Sequence, residues 1–237
     1  IQTQDKAKGI PIYTIPVVIG IVTPQQKTSE KIWITKKEEV FEFAAQEKPL
    51  LVRFDEGNFL LKEWSFEKDV EELLYQLEHD DVIGRMWAAS ELLNHQDNPL
   101  ISWGLTDRAH NDPFWSVRLA AVESLGELKQ EKMLPLFKAK CTDDSSKVRT
   151  AALSILGNFK DPPLVPFLKE RFEKDDSYLA QAEALRSLAK CGDRSLLPFL
   201  QEASRLKSPR NVIQRAADWA IKTIQEKSFN QTTGERR

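Results

Sequence analysis

The first 64 residues alternate between apolar and polar positions with the period of β-strands. The segment 12–22 is rich in β-branched residues, and Pro16 within it favours an edge strand or a bulge. Residues 55–58, with the sequence Asp-Glu-Gly-Asn, predict a turn from which residues 59–61 pair back. We therefore predict five or six short strands that form part of a β-sandwich, with the segment 12–22 at an exposed edge.

The period changes to that of α-helices at Ser65, which is a favourable helix N-cap. Apolar residues then recur at helical spacing as far as residue 227, with no strand pattern between them. About ten helices separated by short polar turns are predicted. This division predicts a partial β-sandwich domain at 1–64, a helical domain at 65–227 and a disordered polar tail at 228–237.

The helical part repeats every 31–33 residues. In most repeats an apolar residue and Arg or Gln precede a small alanine, and an apolar residue, usually Leu, follows four positions later. The register alanines are Ala88, Ala121, Ala152, Ala184 and Ala217. A proline near the start of the other helix keeps the same period, at Pro135, Pro166 and Pro198. We expect the alanines to be buried between neighbouring helices and the prolines to lie in the first turns of helices.

A repeat of this length with two helices per unit predicts an α-α solenoid of about five helix pairs. The order of proline, aspartate, Val-Arg, alanine and Leu-Gly resembles HEAT-type repeats, and the resemblance covers residues 66–226. The predicted fold class is therefore multidomain, with the partial β-sandwich first and an all-α HEAT-type solenoid second.

The overall charge narrows the choice of partner. The formal net charge is −2, with 34 basic and 36 acidic residues, so a nucleic-acid partner is disfavoured. No stretch of eighteen apolar residues is present, and we expect no membrane span. The chain opens on an alternating run at 1–4 without an initiator Met or a signal peptide. We therefore expect it to be part of a longer protein, which leaves a cytoplasmic and a periplasmic location both open.

No constellation for catalysis or metal binding can be found in the sequence. The histidines, His79, His95 and His110, do not form a His-Glu-x-x-His motif, and Cys141 and Cys191 lie outside zinc-ligand spacing. Paired aspartates precede helices in the repeat register and are better explained as N-caps. We therefore predict no catalytic, metal-binding or cofactor-binding residue in this chain.

Charged residues also recur with the repeat. The arginines and the aspartates four to six residues upstream of the first three of them are Arg85, Arg118, Arg149, Arg215, Asp81, Asp112 and Asp144. One interpretation is an anion-binding stripe along the solenoid. The other is a structural ladder in which each arginine binds a turn aspartate or a carbonyl of its own or the next repeat. We favour the structural ladder, because such charge-assisted pairs need no ligand.

The combination of the two parts suggests a family. Residues 48–55 read Lys-Pro-Leu-Leu-Val-Arg-Phe-Asp, residues 81–85 read Asp-Val-Ile-Gly-Arg, and residues 112–118 read Asp-Pro-Phe-Trp-Ser-Val-Arg. This pattern resembles the C-terminal part of the bacterial gluzincin zinc aminopeptidases, the aminopeptidase N and leukotriene hydrolase group. In that family a saddle-shaped β domain and a thermolysin-like catalytic domain precede a small β-sandwich and a helical domain.

The resemblance implies that this chain has a non-catalytic role. It implies a non-catalytic C-terminal region that shapes or covers the active-site cleft of a zinc metallo-aminopeptidase and contacts the parent's own catalytic domain. Zinc would be bound in the upstream catalytic domain, and no catalytic residue can be assigned here. A non-catalytic relative in the transcription initiation machinery shares the layout.

Two alternatives remain. The first is a free-standing HEAT-repeat scaffold for protein–protein interaction, which binds peptides or proteins on its concave face. The second is a HEAT-type lyase or chaperone subunit acting on a prosthetic group, for which no ligating residue can be named.

Overall fold

The computed structural model of the protein describes residues 1–3 and 9–234, with side chains through Lys227. The chain divides into two compact units, Ile1–His95 and Gln96–Arg237. Three strands lie in the first unit, and the described residues of the two units together form ten α-helices.

The first unit contains a three-stranded antiparallel sheet with β1 in the centre, in the order β2-β1-β3. Its elements are β1 Ile15–Val22, β2 Lys27–Ile34, β3 Leu51–Phe54, α1 Val70–His79 and α2 Val82–Glu91. Alternate residues of β1, namely Val17, Ile19 and Ile21, are buried and form the centre of an apolar cluster. The β-branched residues of this strand therefore build the core of the sheet.

The expectation that the segment 12–22 forms an exposed edge is wrong, because β1 has a neighbour on each side. Pro16 lies opposite Trp33 of β2, whereas β3 pairs only with residues 19–22 of β1. Pro16 thus lies in the part of β1 that β3 does not reach, where its missing N–H removes no bond to a second neighbour.

The turn at 55–58 forms, but residues 59–61 do not pair back as a strand. The buried Asp55 carboxylate accepts hydrogen bonds from the amides of Phe59 and Leu60, at 3.2 and 2.9 Å. The Lys62 ammonium also contacts this carboxylate, at 2.5 Å. Because Asp55 occupies two consecutive amides, they are not available for a ladder with another strand.

The outer edge of β3 is covered by side chains. The Lys68 ammonium donates to the Val52 carbonyl at 2.5 Å, and the Glu72 carboxylate accepts from the Val52 amide at 2.9 Å. Lys68 and Glu72 also bind each other at 2.5 Å, and the Lys68 side chain is 1% exposed. This ion pair therefore takes the place of a further strand along β3.

Only one sheet is formed by the described residues, so the predicted partial sandwich is not confirmed. Phe43 and Leu60, which fall in two of the predicted strands, pack against the cluster of β1 from irregular segments. The predicted boundary between residues 64 and 65 remains a prediction. The structure places the helices α1 and α2 in the same compact unit as the sheet.

The second unit consists of eight helices among its described residues, which contact each other in sequential pairs. They are α3 Pro99–Asn111, α4 Trp115–Glu127, α5 Leu134–Lys140, α6 Ser146–Asn158, α7 Val165–Lys174, α8 Tyr178–Cys191, α9 Leu197–Ala203 and α10 Val212–Gly234. The second helices of the pairs, α4, α6, α8 and α10, also contact one another in succession. We call the surface that these four helices expose to solvent the second-helix face.

The repeat positions have the structural roles that the sequence predicts. The register alanines Ala121, Ala152 and Ala184 are fully buried, as expected. Pro135, Pro166 and Pro198 lie in the first turns of α5, α7 and α9, where a missing N–H removes no intrahelical bond.

Glycine in the Leu-Gly pair allows the second helices to approach each other closely. A Cβ atom at Gly157 of α6 would lie 2.7 Å from the Cβ atom of Ser187 on α8, and at Gly126 of α4 it would lie 2.7 Å from Ile155 on α6. The Ser187 hydroxyl uses this approach to donate to the Leu153 carbonyl at 2.8 Å. Glycine at this position therefore sets the spacing between repeats.

The predicted disordered tail at 228–237 begins inside α10, which extends to Gly234. The side chains beyond Lys227 and all of residues 235–237 lie outside the described part of the chain. The prediction of a disordered tail is therefore not tested.

Candidate functional site

Arg118 on α4 joins two consecutive repeats. Its Nε and Nη2 atoms donate to the Asp143 carboxylate at 2.8 and 2.7 Å, and its Nη1 atom donates to the Asp112 carbonyl at 3.0 Å. Asp143 lies in the turn before the next second helix, and its side chain is 4% exposed. The arginine therefore holds a carbonyl of its own repeat and a carboxylate of the following one.

Arg149 on α6 repeats this arrangement one unit later. It binds the Asp175 carboxylate through Nε and Nη2, both at 2.8 Å, and the Asp143 carbonyl through Nη1 at 3.0 Å. On α8 the equivalent residue is Gln181, whose side chain donates to the Asp175 carbonyl at 2.8 Å. The Gln181 Oε1 atom is buried and has no hydrogen-bond partner among the described residues. The series of arginines thus ends at Gln181.

These contacts shift the pKa of both partners. Burial alone would raise the pKa of Asp143, but hydrogen bonds from Arg118 and from the Ser145 amide outweigh it and hold the pKa below its ordinary value. Burial would likewise raise the pKa of Asp175, but the hydrogen bond from Arg149 is the main contribution that lowers it below its ordinary value. The hydrogen bonds that Arg118 donates to Asp143 and Arg149 donates to Asp175 raise the pKa of the two arginines.

The predicted ladder residues of the first unit lie around the N-terminus of α2. Arg85 donates through Nη1 to the Asp80 carbonyl at 2.7 Å. Asp81 is the N-cap of α2, and its carboxylate accepts from the Gly84 amide at 2.7 Å. Asp81 also lies 3.4 Å from the Arg53 guanidinium.

The remaining predicted residues differ in their surroundings. The Asp112 carboxylate accepts from the Phe114 amide at 2.9 Å. Asp144 and Arg215 are exposed, and the Asp144 backbone carbonyl accepts from Arg149 at 3.2 Å. Among the predicted residues, the structure thus brings together Arg149 with the Asp144 backbone and Arg118 with the Asp112 backbone.

Sequence reasoning selected Asp144 and missed the two carboxylates that bind the arginines, Asp143 and Asp175. Their spacing could have revealed them, because Asp112, Asp143 and Asp175 are separated by 31 and 32 residues, which is the repeat period. Each also accepts a hydrogen bond from the amide two residues later. In the pair Asp143-Asp144, only the first residue is in this register.

The second-helix face has a groove with a volume of about 330 Å³ that crosses α4, α6 and α8. Its floor is formed by the small residues Thr150, Ala151 and Ser154 of α6. Leu119 of α4 and Leu179 of α8 line it on either side of α6, and Leu179 is 61% exposed. At Ser154, α6 has a small side chain where the equivalent residues of its neighbours, Glu123 and Arg186, are larger.

Three charged side chains line this groove. Glu183 is paired with Arg186 on the same helix at 3.1 Å, and Lys147 lies with its ammonium 4.4 Å from the centre of the Trp115 ring. Glu123 on α4 has no ion pair or hydrogen bond with any described residue, and partial burial raises the pKa of its carboxyl. The groove therefore combines apolar walls with one uncompensated carboxylate.

The cysteines and histidines do not form a reactive cluster in the described part of the chain. No three side chains of His, Cys, Asp or Glu converge there to hold a metal ion. Both cysteines are buried; burial raises the pKa of Cys141 to about 12 and also raises that of Cys191. Within the same described residues, no helix is both long enough and apolar enough to span a membrane.

The second unit has a recognisable family pattern. Residues 103–189 match the family model of HEAT repeats. The HEAT-repeat match covers α4 to α7 together with most of α3 and α8, and thus contains the arginine series and the groove. No curated protein sequence matches the chain.

A solved structure supports the same fold. It is the complex of CpcE and CpcF of phycocyanin lyase from Nostoc sp. PCC7120, which is similar to this chain with a TM-score of 0.56 and 18% sequence identity. The similarity covers 71% of this chain and 69% of that one. At this identity the similarity establishes a shared helical-repeat fold.

The resemblance to zinc aminopeptidases, and with it the metallopeptidase assignment, is wrong, because the matches are to the family model of HEAT repeats and to the phycocyanin lyase complex. The residues that suggested it are explained by packing. In the run 48–55, Asp55 closes a turn, and in the run 112–118, Arg118 binds the next repeat. These matches support neither a role in covering a peptidase cleft nor a catalytic domain as partner.

Proposed function

We propose that this protein is a HEAT-repeat scaffold that binds another protein through the second-helix face. The single observation that carries the proposal is the groove across α4, α6 and α8, which presents apolar side chains to solvent. Exposed apolar walls around a recess are typical of protein-binding surfaces. The similar lyase structure is itself a complex of two proteins, which agrees with a protein partner.

We infer that the arginine series is a structural ladder and not an anion-binding stripe. Arg118 and Arg149 each bind a carboxylate through two nitrogens and a carbonyl through the third, so their principal donors are occupied. Their side chains are only 13% and 12% exposed. A ladder of this kind keeps successive second helices in register.

The proposal can be tested by filling the groove. Ser154 is equivalent in the repeat to Glu123, Arg186 and Trp219, so this position accepts large side chains elsewhere in the same protein. We therefore choose Ser154→Trp, with Glu173→Trp at an exposed position of α7 as the matched control. Thermal unfolding of both variants should resemble that of the wild type.

The binding measurement compares the three proteins as immobilised baits in an extract of the source organism. We expect at least one protein to be retained by the wild type and by Glu173→Trp and lost with Ser154→Trp. The purified partner should then bind Ser154→Trp at least about tenfold more weakly by calorimetry. Equal retention by all three baits would refute binding through the groove.

A further inference from the structure

The groove has a charge pattern that points to the kind of segment it binds, and this inference rests on the proposed function. Glu123 lies on the α4 side of the groove, in the same repeat position as Ser154, Arg186 and Trp219. The other carboxylate of the groove, Glu183, already has a cation, since Arg186 lies 3.1 Å away on the same helix.

The cation that lines the groove, Lys147, also has a partner. The Lys147 ammonium lies over the Trp115 ring, at 4.4 Å from its centre. Glu123 is therefore the groove carboxylate for which no cationic or hydrogen-bonding partner occurs among the described residues. Glu123 is exposed, so a partner that covers it would remove its carboxylate from water without compensation, and a cation placed beside it would offset this cost.

The apolar residues of the groove favour an aliphatic side chain in the bound segment. Leu179 is 61% exposed, and Leu119 lies on the other side of the small residues of α6. A volume of about 330 Å³ is at the small end of the range for binding pockets, and is suited to a few side chains. An aliphatic side chain placed between the two leucines would remove this apolar surface from water.

We infer that the groove binds a helical segment of another protein that places an aliphatic side chain between Leu119 and Leu179 and a lysine or arginine beside Glu123. On a helix, residues three or four positions apart lie on the same face, so the aliphatic and basic residues of the partner have this spacing. The basic residue sets the orientation of the segment, because only the α4 side of the groove has an uncompensated carboxylate.

The test uses the full chain and a phage-displayed library of random 16-residue peptides. Peptides are selected on the wild type and, separately, on Glu123→Lys. Because Arg186 occupies the equivalent position on α8, a long cationic side chain should be accepted at 123, and a thermal unfolding curve checks this. Glu123→Gln serves as the neutral variant, and Ser154→Trp reports whether a peptide enters the groove.

We expect peptides selected on the wild type to contain lysine or arginine three or four positions from an aliphatic residue. Such a peptide should bind Glu123→Lys at least about tenfold more weakly than the wild type, with Glu123→Gln between the two. Replacing its basic residue with glutamate should restore binding to Glu123→Lys. This exchange of charge is not expected from a change in folding.

The outcomes separate this inference from the proposed function. If the selected peptides are lost with Ser154→Trp but bind Glu123→Lys as well as the wild type, the basic anchor is refuted while groove binding stands. If no selected peptide distinguishes Ser154→Trp from the wild type, both the basic anchor and binding through the groove are refuted.

Discussion

At the scale of single residues, Asp143 links two consecutive repeats of the second unit. Its carboxylate accepts two hydrogen bonds from Arg118 and one from the Ser145 amide, and the Lys140 ammonium lies 3.6 Å away. Its backbone carbonyl accepts from Arg149. Asp143 therefore connects the second helices α4 and α6.

Loss of this carboxylate should destabilise the protein. We expect Asp143→Ala to lower the free energy of unfolding by about 2–4 kcal/mol, because the largely buried Arg118 guanidinium loses its counter-charge. The neighbouring Asp144→Ala, at an exposed side chain, should change it by less than about 0.5 kcal/mol. Urea unfolding of both variants provides the measurement. Equal effects would contradict the register of the ladder.

The same carboxylates should make stability depend on acid pH. The pKa of Asp143 and of Asp175 is lowered in the folded protein, whereas in the unfolded chain each returns to about 3.9. The unfolded state therefore takes up protons first as the pH falls. The contribution of these groups is complete above the unfolded pKa and is lost as the pH falls below it towards the folded pKa.

Urea unfolding between pH 7 and pH 2.5 would measure this dependence. We expect the free energy of unfolding to decrease towards acid pH, and the double variant Asp143→Asn and Asp175→Asn to show a shallower decrease. If the double variant loses stability as steeply as the wild type, other carboxylates control acid unfolding.

At the scale of helices, the close approach of second helices depends on what is absent from their surfaces. Gly157 has no side chain where Ser187 of α8 packs, and Ser187 then reaches the Leu153 carbonyl. Ala152, the register alanine of α6, is fully buried. The Leu-Gly pair of the repeat is therefore a packing requirement, although glycine by itself disfavours helix.

This requirement predicts that a Gly-to-Ala change inside a helix lowers the free energy of unfolding, although alanine usually stabilises a helix relative to glycine. Gly157→Ala gains about 1 kcal/mol of helix propensity, but its methyl group would collide with Ser187. We expect a net loss of about 1–3 kcal/mol in the free energy of unfolding. Gly126→Ala is the matched comparison and should cost less, because its neighbour is the end of the Ile155 side chain. Greater stability of Gly157→Ala in urea would contradict this account.

At the scale of the whole molecule, the repeat determines how much could be predicted from the sequence. The positions of Ala152 and Pro166 recur with a fixed period, so the helices and their buried faces could be predicted without knowledge of the structure. Asp143 could have been found in the same way, because it lies one repeat period after Asp112.

The sheet and the groove could not be predicted with the same success. Strand pairing in the first unit depends on residues distant in sequence, and Asp55 occupies the amides that a hairpin would need. The groove depends on side chains from three neighbouring helices, among them Glu123, Ser154 and Leu179, and no single repeat contains it. The assignment to the zinc aminopeptidases failed because it relied on short runs such as 112–118, in which Arg118 binds the next repeat.

Because an ion pair at the start of α1 covers the edge of β3, the opening of a single helical turn would expose this edge to aggregation. Lys68 and Glu72 lie at the start of α1, where Asp69 caps the helix and binds Lys48 at 2.8 Å. If this turn unwinds, both side chains leave Val52, and its amide and carbonyl can pair with a strand of another molecule. The shelf life of a concentrated solution would therefore be set by fraying of α1 and not by global unfolding.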